Sequence, residues 1–193
     1  MSPVLAGKAG RILGEMHLFS FSNDKVRVNF SDDKVFVQLR LDPYYYFTAS
    51  KHEDVADIIS DHARELLSNK SVLVHGDYSP KNFIVHQGNL ILLDFEVAHY
   101  GHPVFDLAFM LNHLFLKSIH DSLNRDVYFQ AVSECMHEYG QFVQGNSLLS
   151  KYSNEDCKEL LIHLGCLMLA RIDGKSPVEY IVDPNVQGRV RFI

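Results

Sequence analysis

Cysteine is scarce in this chain: Cys135, Cys157 and Cys166 are the only three in 193 residues, and none has C-x-x-C spacing. That excludes a disulfide framework and points to buried free thiols in a reducing compartment, as in a cytoplasmic protein. A basic excess is also missing, with 18 Lys and Arg against 24 Asp and Glu for a formal net charge of −6. A nucleic-acid partner is therefore not expected, since binders of the phosphate backbone carry a basic face. No apolar run approaches the length of a membrane span, and the N-terminal residues lack the layout of a signal peptide, so no membrane partner is expected. There is no internal repeat. Gly7, Gly10 and Gly14 fit neither G-x-G-x-x-G nor the Walker spacing, and no strand precedes them, so they read as small residues that let another helix approach. A G-x-S-x-G elbow is absent, which argues against a serine hydrolase. The G-N-H and D-x-H arrangements of a metal-dependent phosphoesterase are absent as well.

What is present is enough for one domain, residues 1–193, with a substantial core: 47% hydrophobic and 22% charged residues. Leu5, Ala9, Ile12, Leu13 and Met16 recur at helical spacing, which predicts a first helix over 4–18. The stretch "FSDDKVFVQLRLDPYYYF" predicts a short helix opened by Ser31 and a turn at Asp42-Pro43. Its three tyrosines read first as packing residues and second as a substrate wall. Ser50 and Glu53 form a capping box ahead of an apolar face of Val55, Ile58, Ile59, Leu66 and Leu67. Three further helices are expected over about 105–119, 123–143 and 154–172. "SPVEYI" reads as a last short helix capped by Ser176, with Pro177 in the first turn and Glu179 completing the box. The class is α+β, mostly α-helical, with a small β-hairpin.

That hairpin carries the chemistry. "NFIVH" and "LILLD" are β-rich runs on either side of "QGN". Counting outward from Gly88 puts Asn82 six residues before it and Asp94 six after, so the two are expected opposite one another, close enough to share a cation. An amide oxygen and a carboxylate are hard ligands that suit Mg²⁺ and suit zinc poorly. Magnesium fills its other positions with water and phosphate oxygens, which points to a nucleoside triphosphate. Asp77 lies in the loop entering the hairpin, placed to take the proton of an attacking hydroxyl, with His75 fixing that loop and Gly76 letting it bend. For any one of these residues a structural role is the commoner explanation; together, at this spacing, they point to a site. His99 and His102 have zinc-like spacing but lack partners nearby and read as loop histidines.

"HGDYSPKN" followed by "LLDFE" resembles the catalytic loop and metal motif of the aminoglycoside phosphotransferase and choline kinase family, with H-G-D-x-x-P-x-N complete at His75, Gly76, Asp77, Pro80 and Asn82. "GHPVFDLAFML" is similar to the segment that follows the family's metal motif, and "AGRILGEMHLFS" to the helix after its interlobe hinge. The resemblance implies a protein-kinase-like fold and an ATP- and Mg²⁺-dependent transfer of the γ-phosphate to a small-molecule hydroxyl acceptor. It implies that Asp77 is the catalytic base, with His75 beside it, that Asn82 and Asp94 hold magnesium, and that Asp106 buttresses the catalytic loop. Lys81 and Glu96 stand where a phosphate or a metal could be met, although for Lys81 an exposed loop lysine is the better reading. The crowded "RIDGKS" charges (Arg171, Asp173, Lys175) are expected either at the acceptor or at a helix end. The acidic balance favours a cationic acceptor.

The resemblance covers only the C-terminal lobe of the family. The β-rich lobe that carries the phosphate-covering loop and strand lysine is expected to be absent, and Lys8, on a helical pattern, cannot replace that lysine. The exposed interlobe face is then expected to self-associate or to receive the missing lobe. The alternative is a non-catalytic nucleotide-binding or scaffold lobe.

Overall fold

A computed structural model describes residues 1–154 and 157–191. The elements run α1 (Pro3–Ser20), α2 (Asp24–Asn29), α3 (Lys34–Phe36), a π-helical stretch (Val37–Tyr46), α4 (Phe47–Ala49), α5 (Ala56–Ser68), β1 (Val72–Val74), β2 (Phe83–His86), β3 (Asn89–Leu92), β4 (His99–Gly101), α6 (Val104–His120), α7 (Arg125–Val143), α8 (Ser147–Ser150), α9 (Lys158–Asp173) and α10 (Pro184–Arg191). The class is α+β and mostly helical, as the sequence pattern predicts. Among the described residues no helix is long and apolar enough to cross a membrane.

α6 is the central post. Phe105, Leu107, Ala108, Phe109, Met110 and Leu114 are all essentially buried, each large one contributing about 1.5–3 kcal/mol to stability. It packs against α7 and α9, while α1 lies along α7. The α1–α7 approach depends on the glycines: a Cβ on Gly10 would collide with the Cys135 carbonyl, and one on Gly14 would meet Phe142 Cβ at 2.7 Å. Tyr78, fully buried, ties the catalytic segment to α1 by donating its hydroxyl to the Ala9 carbonyl at 2.6 Å.

The strands form two separate antiparallel pairs. β1 pairs with β4 in the register Val72↔Gly101, Leu73↔Tyr100 and Val74↔His99. β2 pairs with β3 through Phe83↔Leu92, Ile84↔Ile91, Val85↔Leu90 and His86↔Asn89. The first pair is buried and joins the loop entering the hairpin to the start of α6; the second stands out from the body.

Four local expectations fail. There is no turn at Asp42-Pro43: helix continues through Pro43 in an i→i+5 register, closed by Phe47 N–H donating to Asp42 O. The wider register accommodates a proline, which has no N–H and crowds an ordinary α-turn. Ser31 does not open the helix; it sits after α2 and donates to Val28 O at 3.1 Å. The Ser50–Glu53 capping box does not form, because Ser50 Oγ donates to Phe47 O at 2.6 Å, at the end of the preceding helix, and α5 begins only at Ala56. On α5 the apolar face keeps Ile59 and Leu66 buried, with Ile58 turned to solvent. "SPVEYI" is not helical; α10 starts later, at Pro184. The backbone there is claimed by Arg171, whose guanidinium takes the Ser176 carbonyl and whose own carbonyl takes Val178 N–H at 2.8 Å, while Val178 and Ile181 fill the core.

The tyrosines after Pro43 pack. Tyr45 is fully buried with its hydroxyl 2.9 Å from His163 Nδ1, and Tyr44 accepts a 3.0 Å hydrogen bond from Arg171 Nη1. Asp173 pairs with Arg191 and His52, and Lys175 lies over the Phe47 ring, so this cluster fastens the C-terminal segment to the body.

Candidate active site

The loop from His75 to Asn82 leaves β1 at the centre of the molecule. Gly76 bends it at φ +79°, and a Cβ there would meet Val97 Cγ1 at 2.6 Å, so neither the conformation nor the space suits another residue. Its backbone donors converge on Asp106, one turn into α6: His75 N–H reaches Oδ2 at 2.6 Å and Gly76 N–H reaches Oδ1 at 2.9 Å. Asp106 is completely buried, and His17 Nε2 stands 3.9 Å from its Oδ2. Burial by itself would raise this carboxyl; the His17 and His75 imidazoles and the His75 N–H outweigh it and hold the group below the usual carboxylate range.

His75 uses both ring nitrogens. Nδ1 accepts Asp77 N–H at 3.1 Å, and Nε2 donates to Leu93 O at 2.9 Å. These partners place the ring hydrogen on Nε2. One imidazole thus connects Asp77 to the residue immediately before Asp94, and Phe95 closes over it with ring centroids 4.7 Å apart.

The structure brings Asn82 to Asp77 directly: the amide Nδ2 donates to the Asp77 carbonyl at 2.8 Å, so the amide oxygen is the end left for a ligand. Asn82 and Asp94 are not opposite one another. The hairpin closes over two residues, Gln87 (φ +49°) and Gly88 (φ +76°), so the register is one residue short of the count from Gly88. Leu93 faces Asn82 instead, with its N–H 2.9 Å from Asn82 O, and Asp94 follows in a left-handed conformation at φ +67°, its side chain exposed. Asp94 therefore stands beside the position expected for it. The donor set still fits magnesium: two hard oxygens, one at the buried end of the hairpin and one in solvent.

Asp77 is only 6% exposed, yet two cations reach its Oδ2. Lys81 Nζ lies 2.9 Å away and Arg40 Nη2 3.3 Å away. Lys81 is itself mostly exposed; Glu96 is exposed near the end of β3. Arg40 was not visible as a site residue in the sequence. It comes from the π-helical stretch, bonds the Gly76 carbonyl through Nε at 2.5 Å, and lies over the Phe109 ring at 5.5 Å. Only its charge within an apolar helical run hinted at a role. His113, on α6, is a second residue missed: burial and then the Arg171 charge push its imidazole down to about 3, so it stays neutral, and its Nε2 has no partner among the described residues. His99 is buried, stacked on Phe36 at 4.1 Å, and His102 Nε2 lies 2.9 Å from Glu159 Oε1; neither faces the Asp77 loop.

The chain matches the model of the phosphotransferase enzyme family (APH) over residues 2–139, a span that holds every residue of this site. The chain belongs to that family. It is accordingly a phosphotransferase by descent, and the match agrees with the resemblance to aminoglycoside phosphotransferases and choline kinases. A search of curated proteins found no match.

Proposed function

We propose that the protein is an ATP- and Mg²⁺-dependent small-molecule kinase that moves the γ-phosphoryl group to an acceptor hydroxyl in the cytoplasm. The observation that carries this reading is the double use of His75, which holds Asp77 on one side and the Asp94 strand end on the other. Phosphoryl transfer depends on positioning and charge neutralisation more than on covalent chemistry, and a fixed link between base and metal ligand supplies positioning.

In this reading Asp77 accepts the proton of the acceptor hydroxyl. Arg40 and Lys81 lie closest to its Oδ2, so Oδ1 is the oxygen offered to the hydroxyl. Asn82 restrains the Asp77 backbone through its nitrogen and offers its oxygen, with the Asp94 carboxylate, to magnesium. Bound magnesium would neutralise phosphate charge. Asp106 holds the loop that carries the base. The net charge of −6 favours a cationic acceptor such as an amino alcohol or an aminoglycoside. The phosphate-covering loop and its lysine are proposed to come from a β-rich lobe seated on the apolar groove of about 730 Å³ lined by Ile12, Phe19, Leu73, Leu92 and Phe95, where Phe19 is 82% exposed.

The test is phosphate transfer from labelled ATP across a panel of hydroxyl acceptors, with Asp77→Asn beside the natural sequence. Mg²⁺-dependent labelling of one acceptor, absent in the variant, is expected. Labelling that survives Asp77→Asn would remove Asp77 from the role of base.

A further inference from the structure

A second cluster of chemistry-bearing side chains lies between α5 and α9, apart from the Asp77 loop. His62 and Glu65 are three residues apart on α5 and so share a face, and His163 reaches them from α9. One ligand-capable atom from each lies within 4.8 Å of the other two. The His62 and His163 rings stand 5.3 Å apart, nearly perpendicular. The donor set is two imidazoles and one carboxylate.

Two details point to a ligand. His163 is fully buried and its Nε2 has no hydrogen-bond partner among the described residues. His62 Nδ1 is buried too and has none, although it lies 2.8 Å from Glu65 Oε2, a contact without hydrogen-bond direction. Buried ring nitrogens left without partners are costly unless something binds them. The other nitrogen of His163 is engaged, with Nδ1 2.9 Å from the Tyr45 hydroxyl. That contact fixes the ring and suits the tautomer whose Nε2 lone pair faces inward, the arrangement usual behind a metal-bound histidine.

We propose that His62, Glu65 and His163 bind one divalent transition-metal ion of the zinc class. Imidazole nitrogen with a single carboxylate suits Zn²⁺ and its neighbours and is a poor cage for Mg²⁺. Ligand atoms around tetrahedral zinc stand about 3.3 Å apart, so the present spacing needs only side-chain adjustment. The fourth position opens on a cavity of about 510 Å³, lined by His62, Glu65, His102, Lys151, Tyr152 and Glu159, which gives the ion an entry path and room for water. Lys151 there is paired with Glu159 at 3.1 Å, which offsets its charge. The ion would clamp α5 to α9. The proposal stands independently of the phosphotransferase reading.

The test is metal analysis after dialysis against Zn²⁺, and the absorption of bound Co²⁺, in an Asp94→Asn background so that the hairpin site does not contribute. The expected result is about one ion per chain, undisturbed by excess Mg²⁺, with a tetrahedral Co²⁺ spectrum and a rise in melting temperature. His62→Gln and Glu65→Gln should each weaken uptake at least about tenfold while melting like the parent without metal. His137→Gln, at an exposed histidine, should leave uptake unchanged. Absence of uptake by the parent, or equal uptake by the His62 and Glu65 variants, overturns the proposal.

Discussion

The two β-pairs are nearly the same size and lie on either side of one loop, yet they are opposites. β1 and β4 are buried, their loop donors end on a buried carboxylate, and every bend is dictated by a neighbour: Gly76 by Val97, His75 by Asp106 and Leu93. β2 and β3 project, with Ile84, Val85 and Ile91 about half exposed, and α1 steadies the hairpin tip where Lys8 donates to the Gly88 carbonyl. The buried pair fixes the proposed base, and the projecting pair carries the proposed metal ligands. Under the proposed function, the framework is over-determined where a proton would be taken and open where a large anionic ligand would arrive.

The largest effect should fall on the buried side. Asp77→Asn should lower transfer by about 10²–10⁴-fold while the melting temperature stays near that of the parent, read by initial rates and thermal denaturation. Asp106→Ala strands two buried N–H groups and should cost about 2–5 kcal/mol by urea unfolding. If that loss were below 1 kcal/mol, the loop would not depend on Asp106 as described.

A direct comparison of the pairs comes next. Val74→Ala, in the buried pair, should cost about 1–3 kcal/mol, whereas Ile84→Thr, in the projecting one, should change stability by less than about 0.5 kcal/mol. Equal losses would mean that the hairpin is as integral to the fold as β1 and β4.

A pH-dependent effect lies outside both pairs and calibrates them. Burial alone would raise the Glu159 carboxyl, but His102 and Lys151 bring it down from 4.5 to about 2. A depressed folded-state value contributes stability that is fully present above pH 4.5 and is lost as pH falls toward 2. Unfolding free energy should drop by about 1–2 kcal/mol from this group over that range, and Glu159→Gln should flatten that part of the curve.

The contrast also marks what the sequence could disclose. His75, Gly76, Asp77 and Asn82 are legible because loop chemistry is local: glycine at a left-handed bend, and a motif whose members touch across a few residues; Asp106, 31 residues after His75, is reached only through the family resemblance. The hairpin is legible for the same reason, but its register slips by one because the apolar runs do not say whether two or three residues form the turn. Arg40 reaches Asp77 from a helix more than thirty residues earlier, and no local pattern encodes that approach. Ser50 and Ser176 carry the letters of caps, but Ser50 bonds the end of the preceding helix, and the Ser176 carbonyl is taken by Arg171 from α9. Pro43 reads as a break until the π-helical register accommodates it.

The measurement closest to the central claim is a calorimetric titration of the 193-residue chain with ATP, with and without Mg²⁺, beside Asp94→Asn and Asp77→Asn. Saturable binding that requires Mg²⁺, is lost in Asp94→Asn and persists in Asp77→Asn is the predicted result. Absence of saturable binding, or binding that Asp94→Asn leaves intact, would contradict the assignment of the projecting hairpin as a metal–nucleotide site.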